Sequence, residues 1–129
     1  MHPSSTFAAT VEHLDRTDTV ALTTPSASGK DVRTLIWAVT VEGVPYVRSG
    51  YGPAGRWYAR ALRTRRGAFH PRGRRLEVGF EPVSDPDLDE AIDRAYFAKY
   101  GDQWPTRSMT TEPARSSTLR VVPPPDVEP

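Results

Sequence analysis

A two-residue turn between two β-type runs constrains the fold of this chain more than any other feature of its sequence. Glu42 and Gly43 separate an apolar, β-branched run at residues 33–41 from a second run at residues 44–48. Such a dipeptide favours a tight β-hairpin, which joins antiparallel neighbours. The sequence shows no regular alternation of strands with helices and no glycine-rich dinucleotide fingerprint, so it disfavours a Rossmann-type parallel sheet.

The remaining elements predict a small barrel. β-type composition predicts four more strands, at residues 19–24, 68–70, 76–81 and 118–122. Apolar residues recur at helical spacing over residues 53–64, which predicts a helix. Asp85 and Gly101 are suited to begin and to end a second helix. Antiparallel hairpins with two inserted helices indicate an α+β, mainly β, fold.

The length predicts a single domain with a tail at each end. The chain has 129 residues, which is the size of one ordinary domain. We expect residues 1–18 to form a loose tail with a short helix at residues 8–14, and residues 19–122 to form the barrel domain. Residues 102–117 predict a long loop, and the proline-rich residues 123–129 predict a flexible tail.

Composition excludes several classes of site. The chain has no cysteine, so disulfides, thiolate metal sites and thiol nucleophiles are excluded. No stretch approaches the roughly twenty apolar residues of a membrane span, and the first residues lack the pattern of a secretory signal. We therefore expect a cytoplasmic protein without a membrane association. No cluster of His, Asp and Glu has metal-ligand spacing, so no bound metal is predicted.

Charge is unevenly distributed, although the net charge is only +1. Eight arginines fall within residues 56–75, and seven acidic residues follow within residues 77–93. A basic segment beside an acidic one favours an anionic ligand or a self-complementary surface. Few exposed aromatic residues are interleaved with the arginines, so nucleic-acid binding is the weaker alternative.

A turn just before the hairpin is the first candidate anion site. Its sequence, Ser-Gly-Lys-Asp-Val-Arg-Thr, brings Lys30, Arg33 and the hydroxyl of Thr34 next to a strand. Backbone N–H groups and two cations can bind a phosphate, although the spacing is not that of a Walker loop. The alternative is a solvated hairpin turn.

A glycine-rich bend after the hairpin is the second candidate. Arg48 and Ser49 end a strand, Gly50 opens the bend, and Arg56 begins a helix. Glycine allows close backbone approach, and the positive helix end together with the two arginines would attract an anion. The Ser49 hydroxyl can bond a ring carbonyl or a substrate oxygen. In the alternative interpretation the glycines only allow the chain to turn within a loop, and Trp57 is a core residue of the helix.

Three motifs together resemble a known family. They are the turn at residues 29–34, the strand at residues 35–39, and the block that runs from Tyr-Val-Arg-Ser-Gly at residues 46–50 to Trp-Tyr-Ala-Arg-Ala-Leu at residues 57–62. With them the chain resembles the DUF2255 family over residues 19–122. That family is similar to deazaflavin-dependent nitroreductases and, more distantly, to pyridoxamine-phosphate-oxidase-like FMN proteins.

The resemblance implies a split β-barrel that binds FMN or the deazaflavin coenzyme. The cofactor phosphate would contact Lys30, Arg33 and Arg48. Gly50, Arg56 and Trp57 complete the implied binding set around the bend. Such barrels commonly dimerise near the ligand site, so the resemblance also implies a homodimer.

The implied reaction is hydride transfer between the cofactor and a small organic acceptor. The ring would lie along the strand that holds Thr34, Ile36 and Trp37, with Ser49 as the catalytic candidate beside it. The cofactor would carry most of the chemistry, and the protein would supply orientation and a dry site. The alternative is a non-catalytic barrel that binds a small anionic ligand or a protein partner.

Overall fold

The computed structural model of the chain describes residues 3–125, with side chains described from Phe7 onward. The first helix, α1, spans Pro3–Arg16, so the predicted short helix exists but the predicted loose tail is wrong from residue 3. Phe7, Thr10 and Leu14 explain the difference, because they follow helical spacing and pack toward the core. Met1 and His2 lie outside the described residues.

Seven strands form one sheet in which every neighbouring pair is antiparallel. The order across the sheet is β2-β1-β5-β6-β7-β4-β3. The strands are β1 Val20–Pro25, β2 Asp31–Ile36, β3 Ala38–Val41, β4 Val44–Val47, β5 Arg66–Phe69, β6 Leu76–Pro82 and β7 Leu119–Val122.

The two edges of the sheet meet at a single residue, Trp37. β2 is one edge and β3 is the other, and Trp37 alone connects them. The sheet therefore curls until its edges approach at this corner, and it remains open beyond it, which is a split barrel. The continuous strand predicted at residues 33–41 is wrong at Trp37: Ile36 pairs with Val20, whereas Ala38 pairs with Val47 on the opposite edge.

The β3–β4 hairpin confirms the most constraining sequence prediction. Val41 pairs with Val44 across the turn, and Glu42 and Gly43 have positive φ values of 51° and 79°. Two successive residues with positive φ form the type I′ turn, whose twist matches that of the flanking strands.

Five α-helices and a short 3-10 helix, Gly52–Ala54, accompany the sheet within the described residues, whereas the sequence predicted the N-terminal helix and two inserted helices. The two predicted helices are present as α2, Arg56–Thr64, and α3, Pro86–Tyr100. Asp85 caps α3 as predicted, since its side chain accepts from the N–H groups of Asp87 and Leu88. The predicted loop at residues 102–117 instead contains two short helices, α4 Trp104–Ser108 and α5 Glu112–Arg115.

Two apolar clusters lie on opposite faces of β3 and β4. Ala38 and Val47 face the barrel interior, where Trp57, Tyr58 and Ala61 of α2 also pack. Val39 and Tyr46 face outward, where Ile92 and Tyr96 of α3 cover them. Because successive side chains of a strand point to opposite faces of the sheet, β3 and β4 contribute both to the interior core and to the layer formed with α3.

The C-terminal segment after β7 is described as far as Pro125. Pro123, Pro124 and Pro125 are exposed and have no regular secondary structure. The rest of the predicted flexible tail, residues 126–129, lies outside the described residues. No helix in the described part of the chain has the length and apolar character that crossing a membrane requires.

Candidate functional site

A cleft of about 400 Å³ lies where the barrel is split. We call it the aromatic cleft, because three tryptophans line it: Trp37 at the corner, Trp57 at the start of α2, and Trp104 at the start of α4. Its volume is within the range of small-molecule sites, and its walls come from β2, Trp37, the segment after β4, α2 and the α4 region. The cleft therefore presents several aromatic side chains in one concavity.

The structure brings most of the predicted site residues together around this cleft. Of the ten predicted site residues, those that line it are Thr34, Ile36, Trp37, Arg48, Ser49, Gly50 and Trp57. The two candidate segments, far apart in sequence, thus meet at one place. That they bind a cofactor stays a prediction.

Sequence reasoning missed the outer rim of the aromatic cleft. Leu35, Tyr51 and Trp104 are 62%, 85% and 76% exposed, and all three line the cleft. Pro105, Ser108 and Met109 of the α4 region complete that wall. One sequence signal was available: a Trp-Pro pair suits the first turn of a short helix, because proline is tolerated there.

Trp37 is held rigidly at the corner by the end of α3. Its indole stacks on Tyr100 with a centroid separation of 3.9 Å and an interplanar angle of 2°. The Tyr100 hydroxyl donates to the carbonyl of Asp18 at 2.6 Å and accepts from the N–H of Ala38 at 3.2 Å. Lys99 Nζ donates to the carbonyls of Leu14 and Ala38 at 2.6 and 2.7 Å. The aromatic wall is therefore formed before any ligand binds.

Arg48 is the largest fully buried side chain in the described residues, and it is 1% exposed. Its Nε donates to Thr118 Oγ1 at 2.9 Å. Nη1 donates to Asp93 Oδ1 at 2.5 Å and to the carbonyl of Met109 at 3.1 Å. Nη2 donates to the carbonyl of Asp89 at 3.2 Å. Every nitrogen of the guanidinium is thus occupied by the protein itself.

These contacts define the Arg48 cluster, which consists of Arg48, Asp89, Asp93, Arg115 and Thr118. The second carboxylate oxygen of Asp93 accepts from Arg115. Burial raises the pKa of Asp89, and this effect outweighs the attraction of the Arg48 charge. The cluster ties the end of β4 to α3 and β7. Every nitrogen of Arg48 already donates to the protein, and its contact with a cofactor phosphate stays a prediction.

Ser49 lies at the floor of the aromatic cleft and is 1% exposed. Its Oγ accepts from the N–H of Tyr51 at 3.2 Å, while its own N–H donates to Ser117 Oγ at 2.8 Å. A Cβ added at Gly55 would lie 2.1 Å from Ser49 Oγ. Ser49 therefore packs the bend against the start of α2, and a catalytic contact stays a prediction.

Three of the four predicted cations, Lys30, Arg33 and Arg56, do not line the aromatic cleft. Lys30 is exposed in the turn before β2, and Arg56 is exposed at the first position of α2. Arg33 and Thr34 point to opposite faces of β2, as adjacent strand residues must. A further arginine, which sequence reasoning did not select, contacts a lining residue: Arg60 donates to Thr24 Oγ1 at 2.9 Å and to Thr34 Oγ1 at 3.5 Å, and Thr34 lines the cleft.

The fold and the cleft define the class of this protein, which is that of antiparallel split barrels with a ligand-sized opening. The chain belongs to the DUF2255 family, described as an uncharacterized protein conserved in bacteria, and the match spans residues 10–121. Among curated proteins, none matches the sequence. Within residues 3–125, no group of three or more His, Cys, Asp or Glu side chains could hold a metal ion.

Solved structures share this fold at low sequence identity. A conserved hypothetical protein from Mycobacterium tuberculosis has a TM-score of 0.61 at 15% identity, with 88% of this chain and 76% of that chain covered. A candidate 5-nitroimidazole antibiotic resistance protein from Bacteroides thetaiotaomicron has a TM-score of 0.59 at 15% identity, covering 89% and 78%. A heme binding protein from Mycobacterium smegmatis has a TM-score of 0.54 at 13% identity, covering 95% of this chain and 51% of that one.

Proposed function

We propose that the aromatic cleft binds a flavin-type cofactor, FMN or the deazaflavin coenzyme, and that the protein uses it to reduce a small organic acceptor. The observation that carries the proposal is the convergence of Trp37, Trp57 and Trp104 on one cleft of about 400 Å³. Flat aromatic walls favour a flat conjugated ligand through stacking and burial of apolar area. The structural neighbours, one of which is named for heme binding, support a ligand-binding barrel.

The residues of the cleft fit a flavin ring better than a heme. Among the described residues that line it there is neither histidine nor cysteine, so the side-chain ligands of the usual kinds for a heme iron are limited to the thioether of Met109 and the phenol of Tyr51, which is 85% exposed. A flavin ring needs no such ligand. Trp37 is already fixed by Tyr100, so binding a ring against it costs little side-chain ordering.

Arg60 is the residue that we expect to hold the anionic end of the cofactor. Its Nη2 donates to Thr34 Oγ1 at 3.5 Å, and Thr34 lines the cleft, so the guanidinium lies beside a lining residue. No carboxylate of the described chain forms an ion pair with it, and a phosphate prefers such a guanidinium. Arg60 thereby takes the place that the sequence assigned to Arg48.

The protein would contribute orientation and exclusion of water, and the cofactor when bound would supply hydride transfer. The described ionisable side chains that line the cleft are Arg48 and Tyr51, and Arg48 is fully bonded. This observation also favours the second candidate function, a binding module without a reaction. Oxidation of the reduced, bound cofactor by a nitroaromatic or quinone acceptor, measured without oxygen, separates the two: a rate above that of free cofactor supports the enzyme.

Titration with FMN and with the deazaflavin coenzyme, followed by fluorescence, tests binding in the cleft. Trp104→Ala should weaken binding about tenfold, because one stacking contact contributes roughly 1–3 kcal/mol. Phe97→Ala is the control, since Phe97 is also exposed but does not line the cleft. Failure of both cofactors to bind, or equal effects of the two substitutions, contradicts the proposal.

Riboflavin, which lacks the phosphate, tests the role of Arg60. Arg60→Gln should weaken FMN binding about tenfold, since a hydrogen bond to a charged group contributes about 1.5–3 kcal/mol. Riboflavin binding should not change, which also controls for folding. Arg94→Gln is the matched control on an exposed arginine of α3. A parallel loss of FMN and riboflavin binding would show that Arg60 does not contact the phosphate.

A further inference from the structure

A second cleft, of about 630 Å³, lies on the outer face of β1 and β2. We call it the basic cleft. Four parts of the chain line it, namely the end of α1, β1, β2 and the β5–β6 connection, and its hydrogen-bonding and charged side chains include His13, Thr17, Arg33, His70, Arg72 and Arg74. Leu35 lines both clefts. Arg33 lines only the basic cleft and Thr34 lines only the aromatic cleft, and adjacent strand residues point to opposite faces of β2.

We propose that the basic cleft binds a small, multiply charged oxyanion with phosphate or polycarboxylate groups, at a site separate from the aromatic cleft. The first argument is charge. Three arginines line the cleft and no acidic residue of the described chain does. None of the three forms an ion pair within residues 3–125. Like charges held together repel, and a bound anion relieves that repulsion.

The neighbouring Arg75, unlike the three arginines of the basic cleft, forms ion pairs with acidic residues. It donates to Asp31 at 2.8 Å and to Glu77 at 2.5 Å, so the acids beside the cleft are already occupied. The three arginines of the basic cleft, in contrast, have no acidic partner among the described residues. A concavity of about 630 Å³ suits a small anion better than an extended polymer.

The backbone at Arg72 is the second argument. Arg72 and Gly73 have positive φ values of 35° and 76°, and the N–H of Arg74 donates to the carbonyl of Pro71 at 2.8 Å. This is a turn of the I′ type, which favours Asn, Asp or Gly at its first central position. The turn itself therefore gives no reason for an arginine at position 72. Its conformation does direct Arg72 and Arg74 toward the same cleft.

Neutral donors complete the site. His70 Nε2 lies 2.8 Å from Thr23 Oγ1, and His13 Nδ1 lies 3.1 Å from Thr17 Oγ1. The other ring nitrogen of His13, Nε2, is buried and has no hydrogen-bond partner within the described residues. Because this atom is buried, it adds nothing to the donors that the cleft presents. Planar guanidinium groups and ring N–H groups together are suited to the several oxygens of such an anion.

Calorimetric titration with pyrophosphate in a low-salt buffer tests the proposal, with inorganic phosphate and citrate as further probes. We expect saturable binding of pyrophosphate, weakened about tenfold by Arg33→Gln and by Arg74→Gln. Both side chains are exposed, so the variants should fold. Arg94→Gln, on exposed α3 surface away from the cleft, should bind as the wild type does. Competition by citrate would extend the ligand class to polycarboxylates, and its absence would restrict it to phosphates.

Several outcomes would overturn the proposal. One is no saturable binding of any of the three anions at millimolar concentration, and another is an equal loss in Arg94→Gln. Tight binding of a single-stranded oligonucleotide in place of the small anions would assign the surface to nucleic acid. Competitive displacement of pyrophosphate by FMN would make this cleft part of the cofactor site, and riboflavin is the control that should leave pyrophosphate bound. Because no step needs a flavin, failure here is distinguishable from failure of the proposed cofactor binding.

Discussion

Arg48 and the arginines of the basic cleft share one side-chain chemistry and have opposite surroundings. Arg48 is 1% exposed, and each of its nitrogens donates to the protein. Arg33, Arg72 and Arg74 are exposed and form no ion pair within the described chain. An arginine enclosed by acids holds the fold together, whereas arginines gathered without acids leave their charge to a ligand.

Because their surroundings differ, substitutions of Arg48 and of the basic-cleft arginines should affect different properties of the protein. Removing Arg48 leaves the largely buried Asp89 without its cation and Asp93 with Arg115 alone, so stability should fall. Removing a basic-cleft arginine removes repulsion and leaves no partner unpaired, so stability should hardly change while anion binding is lost. Stability and binding should therefore respond independently in the two regions.

The largest expected effect is on the Arg48 cluster. Arg48→Met should lower the free energy of unfolding by about 3–5 kcal/mol, because one partner of a buried ion pair is lost while the other remains. Urea denaturation of the purified variant measures it. Arg94→Met, on an exposed arginine of α3, should stay within about 0.5 kcal/mol of the wild type.

A second variant keeps this test informative if Arg48→Met does not fold. Asp93→Asn retains the shape of the site but removes one carboxylate, so it should destabilise less than Arg48→Met. Combining the two should cost less than the sum of the single effects, because the changes share one network. Strict additivity, or a loss below about 1 kcal/mol in Arg48→Met, would remove the distinction between the two kinds of arginine.

The next effect lies beside the cluster, at Gly55. An added Cβ would stand 2.1 Å from Ser49 Oγ, so Gly55→Ala should destabilise by about 1–3 kcal/mol through overpacking. Ser49→Gly in the same chain should restore most of the loss, since it removes the atoms that clash. Thermal unfolding of the single and double variants measures this. No recovery in the double variant would mean that the bend does not pack as described.

Local structure could largely be predicted from the sequence. The Glu42-Gly43 turn and the Asp85 cap are encoded by adjacent residues, and both are present. The short helices α4 and α5 were missed, because four or five residues are too few to show a helical period. Their only signals are the prolines at their first turns and the Thr111 cap.

Long-range pairing could not be predicted. Arg48 finds its partners Asp93 and Thr118 at sequence separations of 45 and 70 residues, and nothing near Arg48 in the sequence distinguishes it from a ligand-binding arginine. The break at Trp37 was hidden for a similar reason, since β2 and β3 have the same apolar composition but belong to opposite edges of the sheet. Both features depend on which distant segments meet.

A smaller effect should appear as stabilisation by anions. Pyrophosphate at roughly five times its dissociation constant should raise the free energy of unfolding by about 1 kcal/mol through binding to the folded state alone. The same addition should not stabilise the Arg33→Gln/Arg74→Gln double variant, whose stability without anion should equal that of the wild type. Thermal scans at constant ionic strength measure the difference. Equal stabilisation of both proteins would indicate a general salt effect.

The smallest effect is the pH dependence contributed by His13. Burial, with the positive charge of Lys99 in addition, lowers the pKa of His13 from its usual 6.5. As the pH falls through 6.5 the unfolded chain takes up a proton and the folded chain does not, so stability is full above that value and declines toward the lowered pKa. Urea unfolding between pH 7.5 and 5 should therefore show a steeper loss for the wild type than for His13→Gln.

The titration of His13 also reports on the basic cleft itself. The charged groups that line the cleft with His13 are Arg33, Arg72 and Arg74, and Lys99, which does not line it, is the charge that lowers the pKa of His13. A bound pyrophosphate would reverse that local charge and should raise the pKa of His13, which NMR titration of the ring protons measures directly. The rise should be absent in the Arg33→Gln/Arg74→Gln double variant. If pyrophosphate left the pKa of His13 in the wild type unchanged, no anion would be bound near the ring. The three arginines of the basic cleft would then form a solvated surface rather than a ligand site that contrasts with the Arg48 cluster.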